Sequence, residues 1–203
     1  MKVYKFGGAS VKNAEGVRNV EKILRQFAEK EQIVVIISAI GKTTNLLEKI
    51  LDAFYYDKKQ LPSMVETLRE NHYTIVRELM GDEGQRIIDK RDAIFKQLDD
   101  ILAGEHSENF DFDYDRIVSF GEILSTKLIS TYLNMVRVKN EWADARSLIR
   151  TDHNYREGKV DWEISSHLIR NKIVELFEKR NTNIIISQGF IAGTEEMLST
   201  TLG

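Results

Sequence analysis

Cysteine is absent from this 203-residue chain, which removes disulfides, thiolate nucleophiles and cysteine-ligated zinc at once. Histidine occurs only four times, at His72, His106, His153 and His167, with no pairing at ligand-like spacing, so no metal site is expected. Apolar runs are short, none near the roughly 18 residues of a membrane span, and the N-terminus enters a charged strand rather than a signal peptide. Basic residues are not in excess. With 29 Lys and Arg against 32 Asp and Glu, the chain lacks the cationic footprint that nucleic-acid binding requires. What remains is 42% hydrophobic and 30% charged with mixed sign, enough apolar material for the core of one domain. The expectation is a soluble, cytoplasmic protein with neither a nucleic-acid nor a membrane partner.

Hydrophobic periodicity then orders the chain. Residues 2–6 read as a strand closed by Gly7-Gly8, and a helix over about 12–30 carries Val17, Val20, Leu24 and Phe27 on one stripe. The run 32–39 suits a strand buried on both faces of a parallel sheet, completing a right-handed β-α-β unit. Gly41 ends it, and Asn45 with Glu48 suggests a capped helix start. Two charged helical stretches, 63–80 and 83–103, carry Met64, Leu68, Ile75 and Leu79, then Ile87, Ile88, Phe95, Leu98 and Leu102. They predict an antiparallel helical excursion over about 60–104, punctuated by the single proline, Pro62, and by Gly81. Residues 104–113 read as a loop, 115–138 as helix, and 139–149 as two short strands. A helix over 161–180 carries Ile164, Leu168, Ile173 and Phe177 and leads to a buried strand, 183–187. Residues 189–203 read as a loop or hairpin.

Three segments hold chemistry-bearing residues. In Lys5-Phe6-Gly7-Gly8-Ala9-Ser10, a lysine ends a strand and two glycines follow, with a helix expected directly after. Glycines let backbone N–H groups approach an anion, a helix N-terminus favours it, and lysine adds a mobile cation. The plain alternative is a tight turn. In Ser38-Ala39-Ile40-Gly41-Lys42-Thr43-Thr44-Asn45, Gly-Lys-Thr suggests a P-loop, but that pattern needs glycine where Ile36 stands. Thr44 then either caps a helix or meets a ligand carboxylate. In Ser119-Phe120-Gly121-Glu122, a carboxylate opens a helix, where it is electrostatically favoured without any ligand. It is also placed to meet a small amine.

Taken in order, KFGGAS, SAIGKTTN, FGE, RTD at 150–152 and QGF followed by TTLG resemble the aspartate kinases of the amino-acid kinase family. The resemblance extends over essentially the whole chain. It implies a mostly parallel α/β/α sandwich and phosphorylation of the β-carboxylate of L-aspartate by MgATP. It also implies that Lys5 stabilises phosphate charge, that Gly7, Gly8 and Ser10 form the loop around the transferred phosphate, and that Thr44 and Glu122 contact aspartate. In this resemblance Glu122 takes the ammonium, Ser38 and Phe190 are weaker members of the pocket, and Asp152 shapes the site. No protein-held metal is implied beyond the Mg²⁺ of the nucleotide.

Two positions depart from the pattern: Ala9 stands where threonine is common, and Met197 where glycine is expected. In the family TTLG continues into an arginine- and aspartate-bearing glycine-rich stretch, a nucleotide-binding half and regulatory ACT domains. The chain is accordingly expected to be the amino-acid-binding part of the catalytic domain, unable to phosphorylate aspartate alone and homo-oligomeric when full length. Two alternatives stay open: a kinase for another amino acid or carboxylate, such as glutamate or acetylglutamate, and a non-catalytic binding or assembly remnant.

Overall fold

In the computed structural model, residues 1–27 and 30–203 are described, with the side chains of all of these except 85–92; Ile87 and Ile88 of the expected stripe therefore lie outside the described residues. Four parallel strands form the main sheet in the order β1-β2-β4-β3, with β1 Lys2–Phe6, β2 Ile33–Ile37, β3 Glu141–Trp142 and β4 Ile184–Ser187. Helix α1, Ala14–Arg25, crosses from β1 to β2 and buries Val17, Val20 and Leu24 as the stripe predicts. Register places Phe6 beside Ile37 and Ile36 beside Ser187, so three strands reach their carboxyl ends at one edge. Loops leaving that edge are where ligands of open α/β sheets bind.

The two sheet faces are covered unequally. Ile33, Val35, Ile37, Ile184 and Ile186 pack with α1, α3 (Leu61–Met80) and α6 (Phe120–Met135) in one core. On the opposite face Ile185 packs with Ile173, Leu176 and Phe177 of α7, Trp162–Arg180. Strand β2 is consequently buried on one face and half-buried on the other at Val34 and Ile36, where the apolar run suggested burial on both. Along α7, Ile173 and Phe177 are buried while Ile164 is exposed, because the helix meets the sheet mainly through its C-terminal half.

The excursion is an antiparallel pair, α3 and α4 (Glu83–Ala103), joined at Gly81, and it builds a second core with α2 (Thr43–Tyr56) and α5 (Phe110–Val118). Four expectations change here. Helix α2 starts at Thr43, whose hydroxyl donates to the Ile40 carbonyl at 2.6 Å, so the capping-type start at Asn45 is two residues late. The loop expected through 113 ends at Asn109, whose side chain caps α5 by accepting from Phe112 N. The single helix expected over 115–138 is two helices meeting at Ser119. Of two strands expected over 139–149 only β3 forms; the rest includes a 3-10 turn, Ala145–Ser147. A hairpin of β5 (Ile191–Gly193) and β6 (Ser199–Thr201) closes the described fold. At its turn Met197 sits at φ 65°, the left-handed conformation that favours the expected glycine, so the turn keeps its shape at a local backbone cost.

Candidate functional site

The two glycine-bearing loops interlock. Gly41 N donates to Gly8 O at 3.3 Å, and a Cβ on Gly8 would stand 2.8 Å from Ala39 O and 3.2 Å from Gly41 O. Backbone oxygens cannot swing away as a side-chain tip can, so Gly8→Ala should cost about 1–3 kcal/mol in a urea unfolding curve. Gly7 has nothing within 4 Å of the same added atom, and Gly7→Ala should be nearly neutral by the same measurement. Equal effects of the two would contradict this packing. One expectation is corrected: α1 does not follow the loop directly. Ser10 N closes a turn onto Gly7 O, and Asn13 caps the helix by accepting from Gly16 N, so a first-turn amide of α1 is already taken.

Glu122 lies in the first turn of α6 and is 4% exposed. Its Oε2 accepts from Gly189 N at 2.9 Å and Phe190 N at 2.8 Å, directly after β4. Burial pushes its carboxyl above the ordinary 4.5, opposed by the Phe190 and Gly189 amides and by the nearby charge of Lys5. Lys5, Glu122, Gly189 and Phe190 therefore share one place at the carboxyl edge. Ser38, directly after β2, is tied to the same helix, its carbonyl accepting from Ser125 of α6 at 2.8 Å. Gly121 does not serve to expose Glu122. A Cβ there would meet Ala39 Cβ at 3.1 Å and Leu47 Cδ1 at 3.2 Å, so the glycine lets α6 press against α2 and the β2 loop.

Thr44 is half-buried in the first turn of α2, and its hydroxyl makes no hydrogen bond among the described residues, unlike that of its neighbour Thr43. Phe190 is half-buried and packs against Ile123, Ala145 and Ile191. Asp152 is exposed and folded onto its own loop, accepting from Asn154 N at 3.1 Å and Lys159 N at 3.0 Å. The Lys159 amide above all holds its carboxyl below the ordinary value. Its position organises the loop that returns to Thr201; it is not gathered with Glu122 by any described contact.

Support for Glu122 comes from residues that motif reading passed over. Thr126 Oγ1 donates to the Glu122 carbonyl at 2.6 Å and accepts from Trp142 Nε1 at 2.9 Å and Gln188 Nε2 at 2.8 Å. Gln188 Oε1 in turn accepts from Ala145 N at 2.7 Å. The spacing of Thr126 four residues after Glu122 was the available signal, since i,i+4 residues stack on one helix face. Among the described residues no group of three His, Asp or Glu side chains could hold a metal ion, and no helix is long and apolar enough to cross a membrane.

A parallel sheet whose carboxyl edge carries interlocked glycine loops, a lysine and a buried, amide-anchored carboxylate marks an open α/β protein. The pattern described as the amino acid kinase family matches residues 1–202, and the chain belongs to that family. An aspartokinase of Chlamydia muridarum is 33% identical over 201 residues, covering 99% of this chain and 42% of that protein. A bifunctional aspartokinase/homoserine dehydrogenase of Buchnera aphidicola is 30% identical over 215 residues, covering 100% of this chain and 25% of that protein. Among solved structures, E. coli aspartokinase III in complex with lysine and aspartate superposes with a TM-score of 0.82 at 23% identity, over 100% of this chain and 44% of that one. The same enzyme in complex with aspartate and ADP superposes with a TM-score of 0.78 at 24% identity, over 100% of this chain and 43% of that one. At these identities the structural likeness establishes the fold, and the amino-acid kinase architecture is as expected. The chain spans less than half the length of these relatives.

Proposed function

We propose that residues 1–203 are the amino-acid-binding part of an ATP-dependent kinase that phosphorylates the β-carboxylate of L-aspartate. The observation that carries this reading is Glu122, a buried carboxylate held by two backbone amides and facing Lys5 at the sheet edge. A fixed, desolvated carboxylate is a receptor for an ammonium, and a lysine opposite it suits the other, anionic end of a short amino acid. Aspartate in the E. coli enzyme's structures and ADP in one of them support the choice of ligands. In the reaction, a β-carboxylate oxygen attacks the γ-phosphorus in line, the bond to the bridging oxygen of ADP breaks, and no covalent enzyme intermediate forms. Lys5 and the amides of Gly7, Gly8 and Ser10 stabilise equatorial charge; Thr44 and Ser38 orient the carboxylate, and Phe190 walls the pocket. Magnesium arrives with the nucleotide phosphates, the usual manner of its binding.

Calorimetric titration of the chain tests the ligand assignment. L-Aspartate should give saturable binding, and N-acetyl-L-aspartate, whose amine is blocked, should give none. Equal binding of the two would remove Glu122 from ammonium recognition. Preference for L-glutamate would keep the site and replace the substrate.

A further inference from the structure

Two carboxylates on the short helix α5, Asp113 and Asp115, are both 0% exposed, yet they face different parts of the molecule. Asp113 faces α2 and the loop before α5, accepting from Tyr55 Oη and Ser107 N and pairing with Arg116. Asp115 reaches across to the end of the chain. Its Oδ2 accepts from Thr201 N at 3.0 Å and Arg156 N at 2.9 Å, and its Oδ1 accepts from Thr201 Oγ1 at 2.6 Å. Thr201 is the register partner of Ile191 across the β5–β6 hairpin, and Leu202 N donates to Phe190 O at 3.0 Å. The hairpin segment held by Asp115 is thus directly continuous with the Gly189 and Phe190 amides that hold Glu122.

We infer that Asp115 is a positioning residue for Glu122: by clamping Thr201 it fixes the hairpin, and the hairpin fixes the two amides that aim the Glu122 carboxylate. The backbone supports this. Arg156, at φ 68°, is held in a left-handed conformation uncommon for a non-glycine residue while its N–H points at Asp115, and Gly158 N donates to Thr201 O at 2.9 Å. Two segments distant in sequence, at Arg156 and at Thr201, converge on one buried carboxylate, whose charge-assisted bonds are roughly twice as strong as neutral ones. A carboxylate that only held α5 in place would leave the hairpin untouched, as Asp113 does with its bonds to Tyr55, Ser107 and Arg116.

The matched pair supplies the test, and the ligand side of it rests on the aspartate reading above. Asp115→Asn should speed hydrogen exchange at the Gly189 and Phe190 amides about tenfold and weaken L-aspartate binding by about the same factor. Asp113→Asn removes equally buried contacts and should leave both within about twofold, whatever its effect on the melting temperature. Should Asp115→Asn fail to fold, Thr201→Val deletes only the hydroxyl donor and is read the same way, with a smaller expected change. Faster exchange confined to Arg156 and Thr201, or equal changes at residues 189 and 190 in both aspartate variants, overturns the inference. If the wild-type chain does not bind L-aspartate, the ligand reading fails, and the exchange comparison alone still decides the role of Asp115.

Discussion

Replacing Glu122 with glutamine should weaken L-aspartate binding by roughly two orders of magnitude, in line with losing one partner of a desolvated charge pair. The geometry explains why the isosteric change suffices. Oε2 accepts both the Gly189 and Phe190 amides, so a glutamine must turn its carbonyl oxygen toward them. Its NH₂ then occupies the other position and meets an ammonium donor-to-donor. Stability should change by less than about 1 kcal/mol, because two charge-assisted bonds become neutral ones while the cost of burying a charge is removed and no amide is orphaned. The pH dependence separates the two effects. Burial raises the folded Glu122 carboxyl above 4.5, so folding favours its protonated form. Its contribution to stability is full below that ordinary value and is lost as pH rises through the raised one. Aspartate affinity moves oppositely, declining on acidification through the same raised value, higher than an ordinary glutamate would give. Titrations at several pH values should show that decline in the wild type and a flat profile in Glu122→Gln. Affinity within twofold of wild type would reduce Glu122 to a structural helix start.

Strand β1 was legible as a short β-rich run closed by Gly7-Gly8, and β2 and β4 as short apolar runs ended by small residues; the site loops follow from where those runs stop. Helix α5 was not, because its apparent polarity comes from Asp113 and Asp115, buried carboxylates whose partners lie as far off as Tyr55 and Thr201. Local composition reads them as solvated; only the tertiary fold supplies their donors. Similarly, Glu122 is legible only as a carboxylate at a helix start. Its anchorage by Gly189 and Phe190 is a long-range fact with no local trace. The Met197 turn shows the reverse case, since the expected glycine position was correctly located and tolerates a strained side chain.

Lys5→Ala, made in the full-length enzyme, should lower kcat by about 10²–10³-fold while the KM for aspartate changes by less than about threefold. Lys5, the penultimate residue of β1, lies beside Ile36 of β2, two positions before Gly7, and its side chain is exposed rather than packed. Nothing in the core depends on it, so the unfolding curve should not move. Its charge is felt by Glu122, and on the aspartate reading proposed above it acts on the anionic end of the bound amino acid and its developing phosphate linkage. Charge on the transferred phosphoryl group is redistributed as the transition state forms, and a cation aimed there contributes more to the transition state than to substrate binding. Lys5→Arg should recover only part of the rate, because a planar guanidinium cannot take the place of a compact ammonium on a flexible stem. A raised KM with kcat unchanged would reassign Lys5 to ground-state binding of the carboxylate. A lowered melting temperature would indicate that the edge of the sheet, rather than the chemistry, depends on it.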